Sequence, residues 1–239
     1  MTQTAPIINT IEQSVKEIPG WTPLDQLYSL FVLAVSTAGL KGDILELGSW
    51  CGRSAIALGL AARSMKDTKV VCVDLFPEKS DWYENKDGSY SFKVALGDRV
   101  FDAYHEQTVW KEPFERDIVP VYQRNPSLME TFKQCVASQS LENVVTPFRG
   151  DLVLFAKEGP KDFKCKLAFV DGDHSYDAVC ADIERIEKYM VPGGWICFDD
   201  AFSSYEGVNQ AITDKIINSP RYEMAQQLTR KLFVARLIG

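Results

Sequence analysis

The stretch DILELGSWCGRSAIALGLAARSMKDTKVVCVDLF, residues 43–76, gives the clearest indication of the fold. It begins with a short apolar run that is typical of a buried strand, and a glycine-bearing turn follows. Residues 53–65 then place Ala55, Leu58 and Ala62 at helical spacing, and VVCVDLF at 70–76 is a second buried-strand pattern. This order of strand, turn, helix and strand predicts a right-handed βαβ unit and therefore a parallel sheet.

Strand and helix patterns alternate through the rest of the chain. An apolar helical stripe precedes the first strand, in residues 24–39, and consists of Leu24, Leu27, Tyr28, Phe31 and Val35, with Gly39 as the stop. Buried-strand patterns follow at 144–148, 167–171 and 195–200. The helix between the last two carries apolar residues from Val179 to Met190 and is predicted to end at the PGG of 192–194. The tail, 222–229 and 231–238, is typical of an antiparallel hairpin.

These elements predict an α/β fold with a doubly wound, Rossmann-like, seven-stranded sheet, mostly parallel, that ends in a C-terminal antiparallel hairpin. Residues 1–239 are expected to form a single domain with an N-terminal helical segment at 1–40. The periodicity is lost in an insert at about 77–125, which holds two tryptophans, Trp82 and Trp110. The insert is interpreted as a lid or substrate wall, or alternatively as a structural insertion or oligomer contact; its His105 is expected to be a surface or wall residue.

Composition excludes several functional classes. The 239 residues carry 26 Lys and Arg against 33 Asp and Glu, and the net charge of −7 argues against nucleic acid as a partner. We find no signal-peptide pattern and no apolar run of membrane-spanning length, so we expect a cytoplasmic protein with no membrane partner. Apolar aromatic residues in the insert and in the N-terminal helix leave a homodimer or higher homo-oligomer as an open expectation. With two histidines in the chain, a metal would need oxygen ligands.

The turn ELGSWCG, residues 46–52, fits the pattern E-x-G-x-x-x-G. It does not fit G-x-G-x-x-G, because Trp50 stands at the middle glycine that would let the backbone approach a pyrophosphate. A glycine turn that opens a helix can still bind a smaller polar ligand, and Asp74 at the end of the next strand is placed to accept two ribose hydroxyls. Glu46 could either order the turn or meet a cationic amino group.

At these residues the sequence resembles the class I S-adenosylmethionine (SAM) methyltransferases, in the variant found in small-molecule O-methyltransferases of the macrocin type. The resemblance covers roughly residues 40–239. It implies that SAM is the cofactor, that Gly48 and Gly52 line its methionine moiety and that Asp151 accepts the adenine amine. The full set of predicted cofactor-binding residues is Glu46, Gly48, Ser49, Gly52, Asp74, Asp151 and Asp171.

Four aspartates follow two predicted strands, Asp171 and Asp173 after the fourth and Asp199 and Asp200 after the fifth. The carboxyl ends of parallel strands share one edge of the sheet, so at least three of these carboxylates should converge beside the glycine turn. Such a cluster either holds a proton or binds a cation, and oxygen ligands suit Mg²⁺ or Mn²⁺. The alternative is capping, since Asp173 or Ser175 could cap the next helix.

The resemblance also assigns roles to these residues. It implies that Asp171, Asp199 and Asp200 are the metal ligands and that His174 or Asp173 is the catalytic base. The implied reaction is methyl transfer to a hydroxyl of a small-molecule acceptor, such as a sugar, a polyol or a catechol-like compound. Two other interpretations stay open: a SAM-fold enzyme of different chemistry, such as a hydroxylase, and a noncatalytic SAM-binding module.

Overall fold

A seven-stranded sheet is the centre of the structure, a computed structural model that describes residues 6–103 and 108–239. Its strands are β1 Asp43–Leu47, β2 Val70–Asp74, β6 Val145–Arg149, β7 Cys165–Val170, β8 Met190–Phe198, β9 Tyr222–Gln227 and β10 Phe233–Leu237. They lie in the order β6–β2–β1–β7–β8–β10–β9. The first five in this order pair in parallel, whereas β10 pairs antiparallel with both β8 and β9. The predicted fold class is confirmed.

Helices cover both faces of this sheet. They are α1 Ile7–Val15, α2 Leu24–Ser36, α3 Arg53–Arg63, α4 Lys111–Pro113, α5 Val119–Arg124, α6 Leu128–Ser138, α7 Leu152–Glu158, α8 Tyr176–Ile186 and α9 Glu206–Ile212. One apolar cluster packs α1, α2, α3 and α6 on one face, and a second packs α7, α8 and α9 on the other. Because α3 lies within the first cluster, its residues Ser54 to Ala62 are all buried and it shows no polar face.

The insert at about 77–125 has secondary structure that its sequence did not reveal. Strands β3 Trp82–Glu84, β4 Tyr90–Leu96 and β5 Arg99–Asp102 form a small antiparallel sheet. Helices α4 and α5 run on through a π-helical turn, Phe114–Ile118. Aromatic contacts fill the space between sheet and helix, including the stacked rings of Tyr90 and Phe114 at 4.0 Å. His105 lies outside the described residues.

Two predicted helices differ from the observed ones. Helix α2 ends at Ser36, and Leu24 and Val35 of the predicted stripe are exposed. Leu27 is buried as predicted, but the buried face continues through Leu30 and Ala34, because the helix packs against α3. Helix α8 ends at Ile186, and Met190 begins strand β8 rather than ending the helix. The PGG of 192–194 therefore lies inside a strand, where a register shift between β7 and β8 accommodates it.

No helix within residues 6–103 and 108–239 combines the length and the apolar character needed to cross a membrane.

Candidate functional site

The turn after β1 lies in close backbone contact with the residue that follows β7. Gly48 has a φ of +82°, and a Cβ at this position would lie 1.8 Å from the carbonyl oxygen of Asp171. Glycine alone permits this approach. Two hydrogen bonds flank the contact: Gly48 N–H donates to the Val73 carbonyl at 3.0 Å and Asp171 N–H donates to the Leu47 carbonyl at 2.8 Å. The glycine turn and the first predicted metal ligand are therefore neighbours.

Asp74, at the end of β2, binds the same turn through hydrogen bonds. Its Oδ2 accepts the N–H groups of Ser49 at 2.7 Å and Trp50 at 2.9 Å, and its Oδ1 accepts that of Phe76 at 2.6 Å. Burial raises the pKa of the Asp74 carboxyl, although these three backbone hydrogen bonds oppose the rise. A carboxylate has about four acceptor positions, so one is left here, not the two needed for both ribose hydroxyls.

Glu46 lies beneath the turn, away from the cavity surface. Its Oε2 accepts the Ser49 hydroxyl at 2.5 Å, and burial raises the pKa of its carboxyl. Its other carboxylate oxygen is also buried, and the Ser54 and Cys72 side chains oppose the rise in the pKa of this carboxyl. Of the two roles considered for Glu46, this position favours ordering the turn. Gly52, with a φ of +90°, is the N-cap residue immediately before helix α3.

Asp151 occupies the predicted adenine edge but already has partners there. Its Oδ1 caps helix α7 by accepting the N–H of Leu154 at 2.9 Å. Arg99, at the start of β5 in the insert, donates two hydrogen bonds to the Asp151 carboxylate at 2.9 and 2.8 Å. The insert is thereby tied to the main sheet beside the glycine turn, and adenine binding by Asp151 stays a prediction.

The predicted carboxylate cluster forms at the ends of β7 and β8. These strands are neighbours, with Val170 paired to Phe198, so Asp171 lies beside Asp199 and Asp200. Burial, followed by the negative charge of Asp199, raises the pKa of the Asp171 carboxyl well above its usual range. Asp200 has a φ of +51°, a left-handed conformation that aspartate tolerates better than most residues.

Two residues that the sequence analysis did not single out, Lys231 and Gln26, enter this cluster. The Lys231 ammonium lies 3.0 Å from Oδ2 of Asp199 and 3.2 Å from Oδ1 of Asp200. Burial lowers the pKa of Lys231, and the two carboxylates outweigh that effect and raise it overall. Gln26, buried on α2, donates its amide N–H to Oδ1 of Asp199 at 2.7 Å. A glutamine in an otherwise apolar helix face was the available signal for this contact.

His174 is also part of the cluster, whereas Asp173 points to the adjacent turn. The Nε2 of His174 lies 3.5 Å from Oδ2 of Asp200, and its ring stacks on Tyr205 with a centroid distance of 3.9 Å. Asp173 accepts the N–H of Ser175 at 2.7 Å. Ser175 is the N-cap of helix α8, so of the two residues considered for capping, Ser175 has that role.

These residues fit a divalent cation. Asp171, His174 and Asp200 each offer one ligand atom, and the three atoms lie within 4.8 Å of one another. One Lys231 ammonium cannot neutralise three carboxylates, so a dication would relieve the remaining repulsion. Carboxylate oxygen and imidazole nitrogen are ordinary ligands for such ions.

One cavity of about 920 Å³ joins the glycine turn to the carboxylate cluster. Gly48, Asp74 and Asp151 line one part of it, and Asp200 and Lys231 line another. Aromatic residues from the N-terminal segment, the turn and the insert complete its wall: Trp21, Trp50, Trp82, Phe92, Phe101 and Trp110. The volume is near the upper end for ligand pockets, so donor and acceptor molecules could bind together.

Comparison with known proteins gives one family match and several similar folds. A family model described as a methyltransferase domain matches residues 45–201. The fold is similar to that of the O-methyltransferase NovP, with a TM-score of 0.65, 15% identity and coverage of 98% of this chain and 97% of that one. It is also similar to an O-methyltransferase from Bacillus cereus in complex with SAH, with a TM-score of 0.58, 14% identity and coverage of 100% and 93%.

A third solved structure, TomG from Streptomyces achromogenes, is an O-methyltransferase involved in tomaymycin synthesis, determined in complex with SAM. Its TM-score is 0.57 and its identity 14%, with coverage of 99% of this chain and 92% of that one. At these identities the likeness shows a shared fold. A comparison with curated proteins finds no match.

Proposed function

This chain belongs to the methyltransferase domain family, and from that premise we propose that it transfers the methyl group of SAM to a hydroxyl of a small molecule. The acceptor is a small hydroxylated metabolite, such as a sugar, a polyol or a catechol-like compound. A divalent cation, Mg²⁺ or Mn²⁺, takes part. The observation that carries the proposal is the continuous cavity that joins the glycine turn to the carboxylate cluster.

The part of the cavity beside the glycine turn would bind SAM, the methyl donor, and backbone hydrogen bonds pre-organise it. Asp74 holds the N–H groups of Ser49 and Trp50, which fixes the turn before SAM arrives. The free acceptor position on Asp74 then receives one ribose hydroxyl. Any side chain at Gly48 would collide with the backbone at Asp171, so glycine keeps the turn in the position that would receive the methionine part of SAM.

The part of the cavity beside the carboxylate cluster would bind the acceptor. A base there must remove a proton from a hydroxyl whose pKa lies far above neutrality. His174 and Asp173 are the two candidate bases, and both line the cavity beside Asp200. The acceptor hydroxyl gives its proton to the base, and its oxygen forms a bond to the methyl carbon as the bond from carbon to the sulfonium sulfur breaks. The products are a methyl ether and S-adenosylhomocysteine (SAH).

Asp171 and Asp200 would hold the cation, with Asp199 or His174 as a third ligand. When bound, such an ion supplies Lewis-acid stabilisation of the developing alkoxide. The remaining catalytic contribution comes from holding the acceptor oxygen, the methyl group and the sulfur in line. The aromatic residues of the insert would exclude water from this space, in keeping with the role of a lid or substrate wall.

The test is transfer of a labelled methyl group from SAM to a panel of vicinal diols, catechols and sugars, with SAH formation measured in parallel. We expect labelled product that has gained one methylene in mass, and loss of activity in Asp74→Ala. A product that has gained one oxygen would indicate hydroxylase chemistry. SAH binding with no methyl transfer to any acceptor of this panel would support a noncatalytic module and contradict the proposal.

A further inference from the structure

The structure distinguishes Asp199 from the other two carboxylates of the cluster, because both of its oxygens already have strong partners. Oδ1 accepts the Gln26 amide at 2.7 Å and Oδ2 lies 3.0 Å from the Lys231 ammonium. The Asp199 side chain is 4% exposed and that of Lys231 is 16% exposed, so water offers little replacement for either contact.

Turning Asp199 toward a cation would be costly. Its movement would leave the buried Gln26 amide N–H without an acceptor, and the Gln26 carbonyl oxygen already has no hydrogen-bond partner among the described residues. A buried donor without an acceptor is destabilising, because it has given up its hydrogen bond to water and gained none in return. Lys231 would also lose the nearer of its two carboxylates. These contacts favour Asp199 as a fixed anchor.

The position of His174 suits a cation ligand. Its Nε2 lies 3.5 Å from Oδ2 of Asp200. One possible ligand atom from each of Asp171, His174 and Asp200 lies within 4.8 Å of the other two. Two ligands at about 2.1 Å from one ion, in adjacent octahedral or tetrahedral positions, lie about 3.0–3.4 Å apart. The observed separation is close to that range, and the stacked Tyr205 ring keeps the imidazole in place.

We propose that the cation ligands of this chain are Asp171, His174 and Asp200, and that Asp199 remains the partner of Lys231 and Gln26. This inference rests on the proposed function and specifies its metal site. An imidazole nitrogen favours transition-metal dications such as Mn²⁺, Fe²⁺, Co²⁺ or Zn²⁺ over Mg²⁺. With the His174 nitrogen engaged by the cation, Asp173 is the remaining base of the two candidates.

The test compares Co²⁺ and Mg²⁺ affinities by calorimetry in the wild-type chain, in His174→Gln and in Asp199→Asn. Both ions carry two charges, so their affinity ratio depends on ligand type and is insensitive to a nearby charge. We expect His174→Gln to lower the Co²⁺ to Mg²⁺ ratio about tenfold or more. Asp199→Asn should weaken both ions by a similar factor and keep the ratio within about twofold.

A second measurement needs no variant. Pulsed electron paramagnetic resonance of bound Mn²⁺ should show modulation from the ¹⁴N nucleus of the His174 imidazole. Absence of that signal, or a collapse of the affinity ratio in Asp199→Asn alone, would overturn the ligand set. Thermal unfolding is the control for folding: each of the three chains must unfold in a single cooperative transition above the assay temperature.

Calorimetry with SAH separates this inference from the proposed function. If the wild-type chain binds SAH and methylates an acceptor but binds no dication, the ligand set is refuted and the transferase stands. If the chain binds dications with the expected ratio but does not bind SAH, the metal site stands and the proposed function fails.

Discussion

Replacing Gly48 with alanine tests whether the contact between the glycine turn and β7 organises the whole site. The new Cβ would lie 1.8 Å from the Asp171 carbonyl oxygen, and real Cβ atoms essentially never approach closer than 3.0 Å. The two backbones must therefore separate by about 1.2 Å or the turn must change conformation. Either response displaces Asp171 together with the turn.

The size of the effect follows from the contacts that flank Gly48. A left-handed conformation costs an alanine about 1–2 kcal/mol. Separation by about 1.2 Å would also break the Gly48–Val73 and Asp171–Leu47 hydrogen bonds, at about 1 kcal/mol each or more when the groups stay buried. We expect the free energy of unfolding to fall by about 3–5 kcal/mol and SAH binding to be lost.

Gly88 provides a matched control. It has the same φ of +82°, but a Cβ there would meet no heavy atom within 4 Å. Gly88→Ala therefore carries the conformational cost alone, about 1–2 kcal/mol, and should keep SAH affinity unchanged. Urea unfolding and SAH calorimetry on both variants measure the difference. Equal destabilisation of the two variants would refute the reasoning, because steric contact with Asp171 would then contribute nothing.

Three further outcomes are expected. Asp74→Ala removes the acceptor of three backbone N–H groups and should abolish SAH binding in calorimetry, with a loss of about 2–3 kcal/mol in urea unfolding. Arg99→Gln breaks the pair with Asp151 and should raise the SAH dissociation rate about three- to tenfold in stopped-flow experiments. Burial raises the pKa of Asp182 to about 7. Between about pH 4 and about pH 7 the folded state therefore holds a proton that the unfolded chain has released. The free energy of unfolding should fall as the pH rises through this range. Asp182→Asn should remove that fall, which amounts to at most about 4 kcal/mol.

Controls isolate the cause in the Arg99 and Asp182 experiments. Lys93→Gln breaks another ion pair of the insert, with Asp102 at 2.9 Å, and should leave the SAH dissociation rate unchanged. For Asp182, urea unfolding of the wild-type chain and of Asp182→Asn is compared at two pH values. The difference in their free energies of unfolding should be large at pH 8 and should vanish at pH 4. An Asp74→Ala chain that still binds SAH would show that the ribose contact lies elsewhere.

Much of the fold could be predicted because its signals are local. The apolar runs of β1, β2 and β7 are buried on both sides, so their patterns are continuous and easy to recognise. The insert gave no such pattern, because its short strands bury some residues against the π-helical turn and α5 and expose the rest. The buried face of α2 was also predicted incorrectly in part. That face is decided by the contact of α2 with α3, which the periodicity of the helix does not show.

The candidate site was also predictable only in part. Topology alone brings Asp171 beside Asp199 and Asp200, because the ends of adjacent parallel strands share an edge, and the sequence sufficed for that prediction. The sequence also placed Asp74 at the end of the strand beside the glycine turn. It could not show that backbone N–H groups already occupy most of the Asp74 carboxylate, since such contacts depend on the path of the turn.

The sequence by itself therefore determined the sheet, the glycine turn and the edge at which the acids meet, since hydrophobic period and strand direction are properties of short segments. Only the tertiary structure decided which charges contact each other. Gln26 and Lys231 lie 173 and 32 positions from Asp199 along the chain, and no local pattern relates them. Their meeting depends on how α2 and the final hairpin pack against β8, because hydrogen bonds and ion pairs form only where folding brings the partner atoms within about 3 Å.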